Sequence, residues 1–137
     1  MPKKERGPSF AGIPRAVMEQ RKFRALGPHA RMLLQELSYD YRGHNNGDLQ
    51  ITWKLMRERG FKSPSTLHRA KQDLLDVGLI MRTRTGGRNR CALYALTWLS
   101  IDECRHRSTG ALKFDADIRP GPARMTWKDT ATTKRSF

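Results

Sequence analysis

The stretch "RTRTGGRNRC", residues 82–91, places four arginines around two glycines and contains no acidic residue. Two glycines between β-prone runs are typical of a hairpin turn. Guanidinium groups around such a turn could form a solvated surface loop, hold an anion, or lie along the phosphates of a nucleic acid. We call residues 82–91 the basic hairpin loop, and the elements that flank it decide among these three interpretations.

The composition of the chain favours an anionic partner. Its 137 residues have a formal net charge of +14 and a pI near 10.7. So much charge repels itself in a compact domain, which favours a partner such as DNA, RNA or an acidic membrane surface. No apolar run approaches about 18 residues, which argues against a membrane span, and the amino terminus lacks the apolar core of a secretory signal. We therefore expect a cytoplasmic, nucleoid-associated protein.

The cysteines and histidines favour neither a metal site nor catalysis. Cys91 and Cys104 are expected to be free thiols in a reducing compartment. Cys104 and His106 could begin a metal site, but no CxxC pair and no second His/Cys pair stand at ligand spacing. The four histidines are dispersed along the chain, and no sequence feature gathers them. We predict no enzyme activity, no cofactor and no metal.

The composition also divides the chain into three parts. Residues 1–12 are polar and contain Pro, Gly and Lys, which predicts a disordered basic arm. Residues 13–104 contain the periodic segments and form the predicted folded domain. Residues 105–137 have Pro, Gly, Thr and isolated apolar residues without a period, which predicts an extended tail. Three apolar residues of this tail could anchor it to the core or to a partner: Phe114, Ile118 and Trp127.

Helical spacing of apolar residues is found in four segments. The predicted helices cover residues 13–26 (starting at Pro14), 27–43 (ended by Gly43), 53–60 (capped by Thr52) and 64–77 (capped by Ser63). An apolar stripe runs along the second of these helices through Ala30, Leu33, Leu34, Leu37 and Tyr41. The sequence "HNNGD" (44–48) predicts a turn after it.

Three strands accompany the helices. Leu49 and Ile51 alternate with polar residues, which predicts a brief strand over 49–52, and two strands over 79–85 and 90–99 flank the basic hairpin loop. Both faces of the last strand are partly apolar. We therefore expect the N-terminal segment or the tail to cover the face that the helices leave open.

The order helix, short strand, helix, turn, helix, strand, loop, strand predicts an α+β fold of the winged helix-turn-helix type, with a basic N-terminal helix and an extended tail. In that arrangement the helix before the turn supports the next one. The latter lies in the major groove of DNA with its first turns toward the base edges. The predicted groove-reading helix is therefore 64–77.

The polar face of this helix carries five residues predicted to read the major groove: Ser65, Thr66, His68, Arg69 and Gln72. Arginine can pair with guanine and glutamine with adenine in this groove. Three further residues are predicted to hold the DNA backbone at the helix start and flank: Lys62, Ser63 and Lys71. The acidic residues Asp73 and Asp76 come only in the last turns, so the front half of the exposed face is cationic.

The basic hairpin loop is predicted to be the wing, gripping the minor groove or flanking phosphates. Five residues of the loop are the candidates for these contacts: Arg82, Arg84, Arg88, Asn89 and Arg90. Arg82 and Arg84 are expected on one face of the first strand. Four cations of the first helix could clamp phosphates, with a solvated basic face as the alternative: Arg15, Arg21, Lys22 and Arg24.

At these residues the sequence resembles known families. The segment "SPSTLHRAKQDLLDVGLI" followed by a basic "GG" hairpin resembles the winged helices of bacterial GntR-type regulators and the N-terminal winged domains of phage and plasmid replication initiators. The fuller pattern "IPRAVMEQRKFRALGPHARMLLQELSYDYRGHNNGDL … SPSTLHRAKQDLLDVGLI … RTGGRNRCALYALTW" is similar to small helix-turn-helix proteins of proteobacterial genomes and mobile elements, over about residues 13–104. The resemblance implies a winged fold that binds double-stranded DNA.

Two functions remain open at the level of the sequence. The first is a sequence-specific duplex DNA-binding protein, either a transcriptional regulator or an origin-binding accessory of a mobile element, which could form a homodimer through residues 13–26. The second is an architectural protein that docks on a protein or ribonucleoprotein complex through its basic face and the 105–137 tail. RNA binding is a weaker variant, because the candidate stacking residues Tyr94 and Trp98 fit the core better.

Overall fold

The computed structural model describes residues 7–127, so residues 1–6 of the predicted arm and 128–137 of the predicted tail lie outside the described residues. The predicted α+β class is confirmed, with five α-helices and a two-stranded antiparallel sheet in the described part of the chain. The elements are α1 (Arg15–Met18), α2 (Arg21–Arg24), α3 (Pro28–Asp40), α4 (Trp53–Arg57), α5 (Pro64–Asp76), β1 (Ile80–Arg84) and β2 (Leu93–Leu96).

The single helix predicted over 13–26 is wrong, because this segment forms the two one-turn helices α1 and α2. Val17, Gln20, Phe23 and Leu26 are all buried and stand three residues apart. Along one continuous helix such a row would rotate by about 60° at each step and leave the core. The extended backbone of Gln20, with ψ 146°, interrupts the helix and returns the later residues to the core.

Helices α3 and α5 pack against each other and form the centre of the helical layer. The apolar stripe predicted for α3 is confirmed at Ala30, Leu33, Leu34 and Leu37, which are buried. Burial of each leucine contributes about 1.5–3 kcal/mol. The helix ends at Asp40 rather than at Gly43, because the Asn45 side chain donates to the Asp40 carbonyl oxygen at 3.0 Å and ends the helical hydrogen-bonding there.

The strand predicted over 49–52 is reduced to a single bridge. The amide of Leu49 donates to the carbonyl of Tyr94 at 3.1 Å, and the Tyr94 amide donates back at 2.8 Å. Thr52 is already the cap of α4, since its hydroxyl accepts a hydrogen bond from the Leu55 amide at 3.2 Å. The chain therefore has no room for a longer strand between Leu49 and the helix.

Strands β1 and β2 are shorter than the strands predicted over 79–85 and 90–99, and a buried side chain of the "HNNGD" turn bonds the end of β2. Asn46 is fully buried, and its side-chain oxygen accepts from the Leu96 amide at 2.8 Å. Its side-chain nitrogen donates to the carbonyls of Leu96 and Ser100 at 3.0 and 2.9 Å. These bonds lie on the edge of β2 that Leu49 also pairs with, whereas the Thr97 amide still donates toward β1, to the Leu79 carbonyl at 3.1 Å. The "HNNGD" turn thus supplies a structural residue of the sheet.

The segment after the sheet lies against the hairpin. The Asp115 amide donates to the Thr83 carbonyl at 2.8 Å, and the amides of Arg124 and Met125 donate to the Thr97 carbonyl at 3.0 and 2.8 Å. Met125 is buried in the main core cluster. Residues of the predicted tail therefore hydrogen-bond β1 and the residue that follows β2, and one of them joins the core.

Both faces of the sheet are buried, as the apolar residues on both sides of the last strand predicted. Tyr94 and Leu96 belong to the main core cluster. Leu93 and Ala95 are equally buried but lie outside that cluster, as do Ile101 and Cys104 of the following segment. The N-terminal segment and the predicted tail each place apolar side chains near this part of the fold. Phe10 and Ile13 line a cavity with Leu96 and Trp98, and the Phe114 ring lies against Gly47.

Candidate nucleic-acid interface

The start of α5 is built by Ser63 and Pro64. The Ser63 hydroxyl accepts a hydrogen bond from the Thr66 amide at 3.2 Å and donates to the Thr66 hydroxyl at 2.9 Å, while Pro64 occupies the first helical position. The Ser65 hydroxyl lies 3.3 Å from that of Ser63. The predicted cap is therefore confirmed. The helix begins with three hydroxyl groups close together at its positive end.

Four of the five residues predicted to read the major groove are exposed side by side on α5: Ser65, His68, Arg69 and Gln72. The fifth, Thr66, is half-buried against the cap. Within the described residues, the side chains of His68 and Arg69 have no hydrogen-bond partner. The only such contact of Gln72 there is a long bond of 3.4 Å to the Asp76 carboxylate. A ligand that binds this face would replace water and would break at most one weak side-chain hydrogen bond, so the free-energy cost of freeing these side chains is small.

Charge is distributed unevenly along α5. Lys62 precedes the helix and is exposed, and Lys71 is half-buried on its flank. The carboxylates Asp73 and Asp76 are exposed in the last turns, where they lie near the negative end of the helix dipole. An anion is therefore attracted to the first half of α5 and repelled from the second half.

The basic hairpin loop begins with an irregularity that separates two of its arginines. Arg82 pairs with Tyr94 and Arg84 with Leu93, so the register shifts between them. Arg82 is exposed, whereas Arg84 is nine-tenths buried and its guanidinium donates twice to the Cys91 carbonyl, at 3.2 and 2.8 Å. The expectation that both arginines share one face is wrong. Arg84 braces the two sides of the loop from within.

The other two arginines of the loop also differ from each other. Arg88 is exposed at the tip, beside Asn89 with its positive φ of 61°, and has no hydrogen-bond or ion-pair partner within the described residues. Arg90 donates to the Thr85 carbonyl at 3.3 Å and lies 3.6 Å from the Asp115 carboxylate. Arg88 is therefore available to a ligand, whereas Arg90 is partly engaged by the chain itself.

Asp115 is a residue of this region that the sequence did not single out. Its carboxylate accepts from the amide of Thr85 at 3.0 Å and from the Thr85 hydroxyl at 2.8 Å. These hydrogen bonds, together with the nearby guanidinium groups of Arg90 and Arg82, hold the pKa of Asp115 below its ordinary value. Because 30 residues separate Asp115 from Thr85, no local pattern marks the contact.

The predicted N-terminal clamp is distributed over α1 and α2, and Lys22 does not reach the start of α5. Its ammonium donates to the Thr126 carbonyl at 3.1 Å. It also lines a cavity of about 460 Å³ with Asp76 and Gly78, at the C-terminal end of α5. The rise along α5 is about 20 Å, so Lys22 lies a helix length from Ser65. The other three clamp residues have exposed side chains: Arg15, Arg21 and Arg24.

The candidate metal pair Cys104 and His106 is not assembled into a site. Cys104 is buried with its sulfur 3.9 Å from the Asn46 carbonyl oxygen, whereas His106 is exposed. Burial, together with the nearby carboxylates of Asp48 and Asp102, raises the pKa of the Cys104 thiol to about 11. Residues 7–127 contain no group of three His, Cys, Asp or Glu side chains that could hold a metal ion.

No protein-family model, curated protein or solved structure matches the chain. Among the described helices, none has the length and apolar character needed to cross a membrane.

Proposed function

We propose that the chain is a winged helix-turn-helix protein that binds duplex DNA in a sequence-specific manner. In this proposal α4 and α5 form the helix-turn-helix and the basic hairpin loop is the wing. Helix α5 lies in the major groove, which is wide enough for an α-helix, and the wing contacts the flanking backbone or minor groove. The order of elements, including the bridge of Leu49 to β2, supports this assignment.

The observation that carries the proposal is the exposed front of α5. Ser65, His68, Arg69 and Gln72 are exposed together there, and the acidic residues are confined to the other end of the helix. Phosphates at the edges of the groove would meet Lys62 and the positive end of the helix, where hydroxyl and amide donors hold anions. A surface helix without a ligand needs no such separation of charge.

Within this interface the side chains have different roles. Arg69 presents a fork of donors that suits guanine, and Gln72 suits adenine after it releases Asp76. Arg88 at the wing tip can neutralise a phosphate or enter a narrow minor groove, neither of which requires one base sequence. Arg84 has no direct role, since it is buried and holds the wing together.

The biological role that we propose is that of a transcriptional regulator or an origin-binding accessory of a mobile element, as the sequence resemblance implies. The alternative of docking on a protein or ribonucleoprotein complex through the tail has less support. Lys113 of the tail pairs with Asp48 at 2.7 Å, Asp115 binds Thr85, and Met125 is buried. These side chains are engaged by the chain itself.

Selection from random duplex DNA with the full-length protein, followed by affinity measurements on the selected sequence, tests the proposal. Arg69→Ala should lose about 1–3 kcal/mol on the selected duplex and relax one base position, whereas Arg88→Ala should weaken selected and unrelated duplexes alike. Arg119→Ala, which removes an exposed tail arginine outside α5 and the wing, is the matched control. Selection that enriches no motif, or equal effects of all three variants, would contradict the proposal.

A further inference from the structure

A continuous groove runs beside α3 on a face that contains no residue of α5 or of the basic hairpin loop. Three adjoining cavities form it, with volumes of about 670, 380 and 390 Å³, and Ala11 lines all three. Ile13 and Met18 form one wall of the largest cavity, and Tyr39 of α3 lies opposite. The groove is therefore formed by the N-terminal segment, α1 and α3 together.

This groove collects exposed apolar side chains. Phe10 is 91% exposed, Tyr39 54% and Met18 38%, and each of them lines at least one of the three cavities. Only one other large hydrophobic side chain in residues 7–127 is comparably exposed, Trp127 at 43%. Single exposed apolar residues are ordinary, but three around one groove indicate a surface that is covered by a partner.

The charges around the groove show what kind of partner suits it. Arg59 pairs with Glu36 at 3.3 Å and with Asp40 at 2.9 Å, and its guanidinium lies 5.3 Å from the Tyr39 ring centre. Arg42 stacks on the same ring at 5.6 Å. Two acidic and two basic side chains thus leave this face neutral, although the whole chain carries +14. Repulsion between two copies of so basic a chain is smallest where the faces in contact are neutral.

We propose that the groove is a dimer interface and that its occupant is a second copy of this chain. The contact is isologous, because Phe10 of each copy inserts beside Tyr39 and Met18 of the other copy. The inserted side chain and the groove that receives it therefore belong to the same surface of each copy. The aromatic side chain would bury most of its surface there. Since the interface omits α5 and the basic hairpin loop, both copies keep their cationic surfaces free.

Sedimentation equilibrium of the full-length protein without DNA tests this inference independently of the proposed function. At a chain concentration of about 50 μM and near-physiological salt, we expect the wild-type protein to have twice the 15.8 kDa mass of the chain. Phe10→Ala and Tyr39→Glu should each raise the dimer dissociation constant about tenfold or more. Because the Phe10 side chain is 91% exposed, thermal unfolding of Phe10→Ala should match the wild type at concentrations where both are monomeric, so that this variant separates association from folding.

Trp127→Ala is the matched control, since it removes the exposed hydrophobic side chain that lies outside the groove. It should leave the dissociation constant unchanged. A wild-type protein that stays monomeric at about 50 μM overturns the proposal and leaves the groove to a partner of different sequence. Equal weakening by Trp127→Ala and Phe10→Ala overturns it as well, because the association would then be a general effect of exposed apolar residues.

Discussion

The salt dependence of the proposed DNA binding tests how many cations of this protein would contact phosphates. In the proposed interface, α5 and the basic hairpin loop offer five cations at the surface: Lys62, Arg69, Lys71, Arg82 and Arg88. Arg84 is excluded because it is buried, and Arg90 because it lies against Asp115. Each neutralised phosphate contributes about 0.9 to the slope of log K against log salt. Five contacts therefore give a slope near −4.5 by this rule.

Participation of the N-terminal clamp would change this number. Three more exposed arginines, Arg15, Arg21 and Arg24, would bring the slope to about −7. We expect the smaller magnitude, because Lys22 of the same segment lies at the end of α5 that carries Asp76. A phosphate approaching that end meets negative charge from both the side chain and the helix dipole.

Fluorescence anisotropy with a labelled duplex of the selected sequence, from about 50 to 200 mM salt, measures the slope. Arg88→Ala should reduce its magnitude by about 1. Simultaneous replacement of Arg15, Arg21 and Arg24 by alanine should leave it unchanged. A wild-type slope near −7 that falls to about −4.5 in the triple variant would refute the reasoning about the clamp. A flat salt response would refute DNA binding through the basic surface altogether.

Three further predictions concern stability. Gly47→Ala should destabilise the protein, because φ is +121° at this position and a Cβ atom would stand 2.7 Å from the Phe114 ring. Urea unfolding measures the loss, and an unchanged midpoint would contradict the close packing of Phe114 on Gly47. Gln20→Met should raise the free energy of unfolding by about 1–3 kcal/mol in the same assay, because neither amide atom of this buried side chain has a hydrogen-bond partner among residues 7–127. A loss of stability would show that the amide is needed. The lowered pKa of Asp115 means that its stabilisation is present above its ordinary value of 3.8 and is lost as the pH falls below it. The protection of the Thr85 amide, which is its intrinsic exchange rate divided by its observed rate at the same pH, should therefore fall in acid. In Asp115→Asn it should be lower already at neutral pH, with little further acid response; identical protection in both proteins would contradict the contribution of the Asp115 carboxylate.

Local signals in the sequence predicted the parts of the fold that local physics determines. Ser63 and Pro64 mark the start of α5, and Thr52 marks that of α4, because a cap needs only the next three residues. The exposed face of α5 followed from helical spacing, since burial of Leu67 and Leu74 turns Arg69 outward. Helical spacing alone therefore predicts the candidate interface on α5.

The roles of the loop arginines were not readable in this way. The sequence around Arg84, Arg88 and Arg90 predicts only that all three belong to one basic loop, and it does not distinguish their roles. Whether Arg84 turns inward depends on the register shift after Arg82, and whether Arg90 is paired depends on a carboxylate from a distant segment. Contacts between distant segments depend on how the segments pack together, so the periodicity of either segment alone does not predict them.

The segment after residue 104 provides a direct test of how far local reasoning extends. Periodicity alone makes 13–104 a folded unit, so a chain that ends at residue 104 should keep its stability. The structure gives the opposite expectation. Loss of Asp115 and Met125 leaves the Thr83 and Thr97 carbonyls without these donors, at about 1 kcal/mol each, and removes a buried side chain worth about 1.5–3 kcal/mol. We expect a decrease in the free energy of unfolding of about 3 kcal/mol or more for the chain that ends at residue 104, measured in urea against the full-length protein. If the shorter chain is as stable as the full-length protein, the segment after residue 104 contacts the hairpin without stabilising the fold.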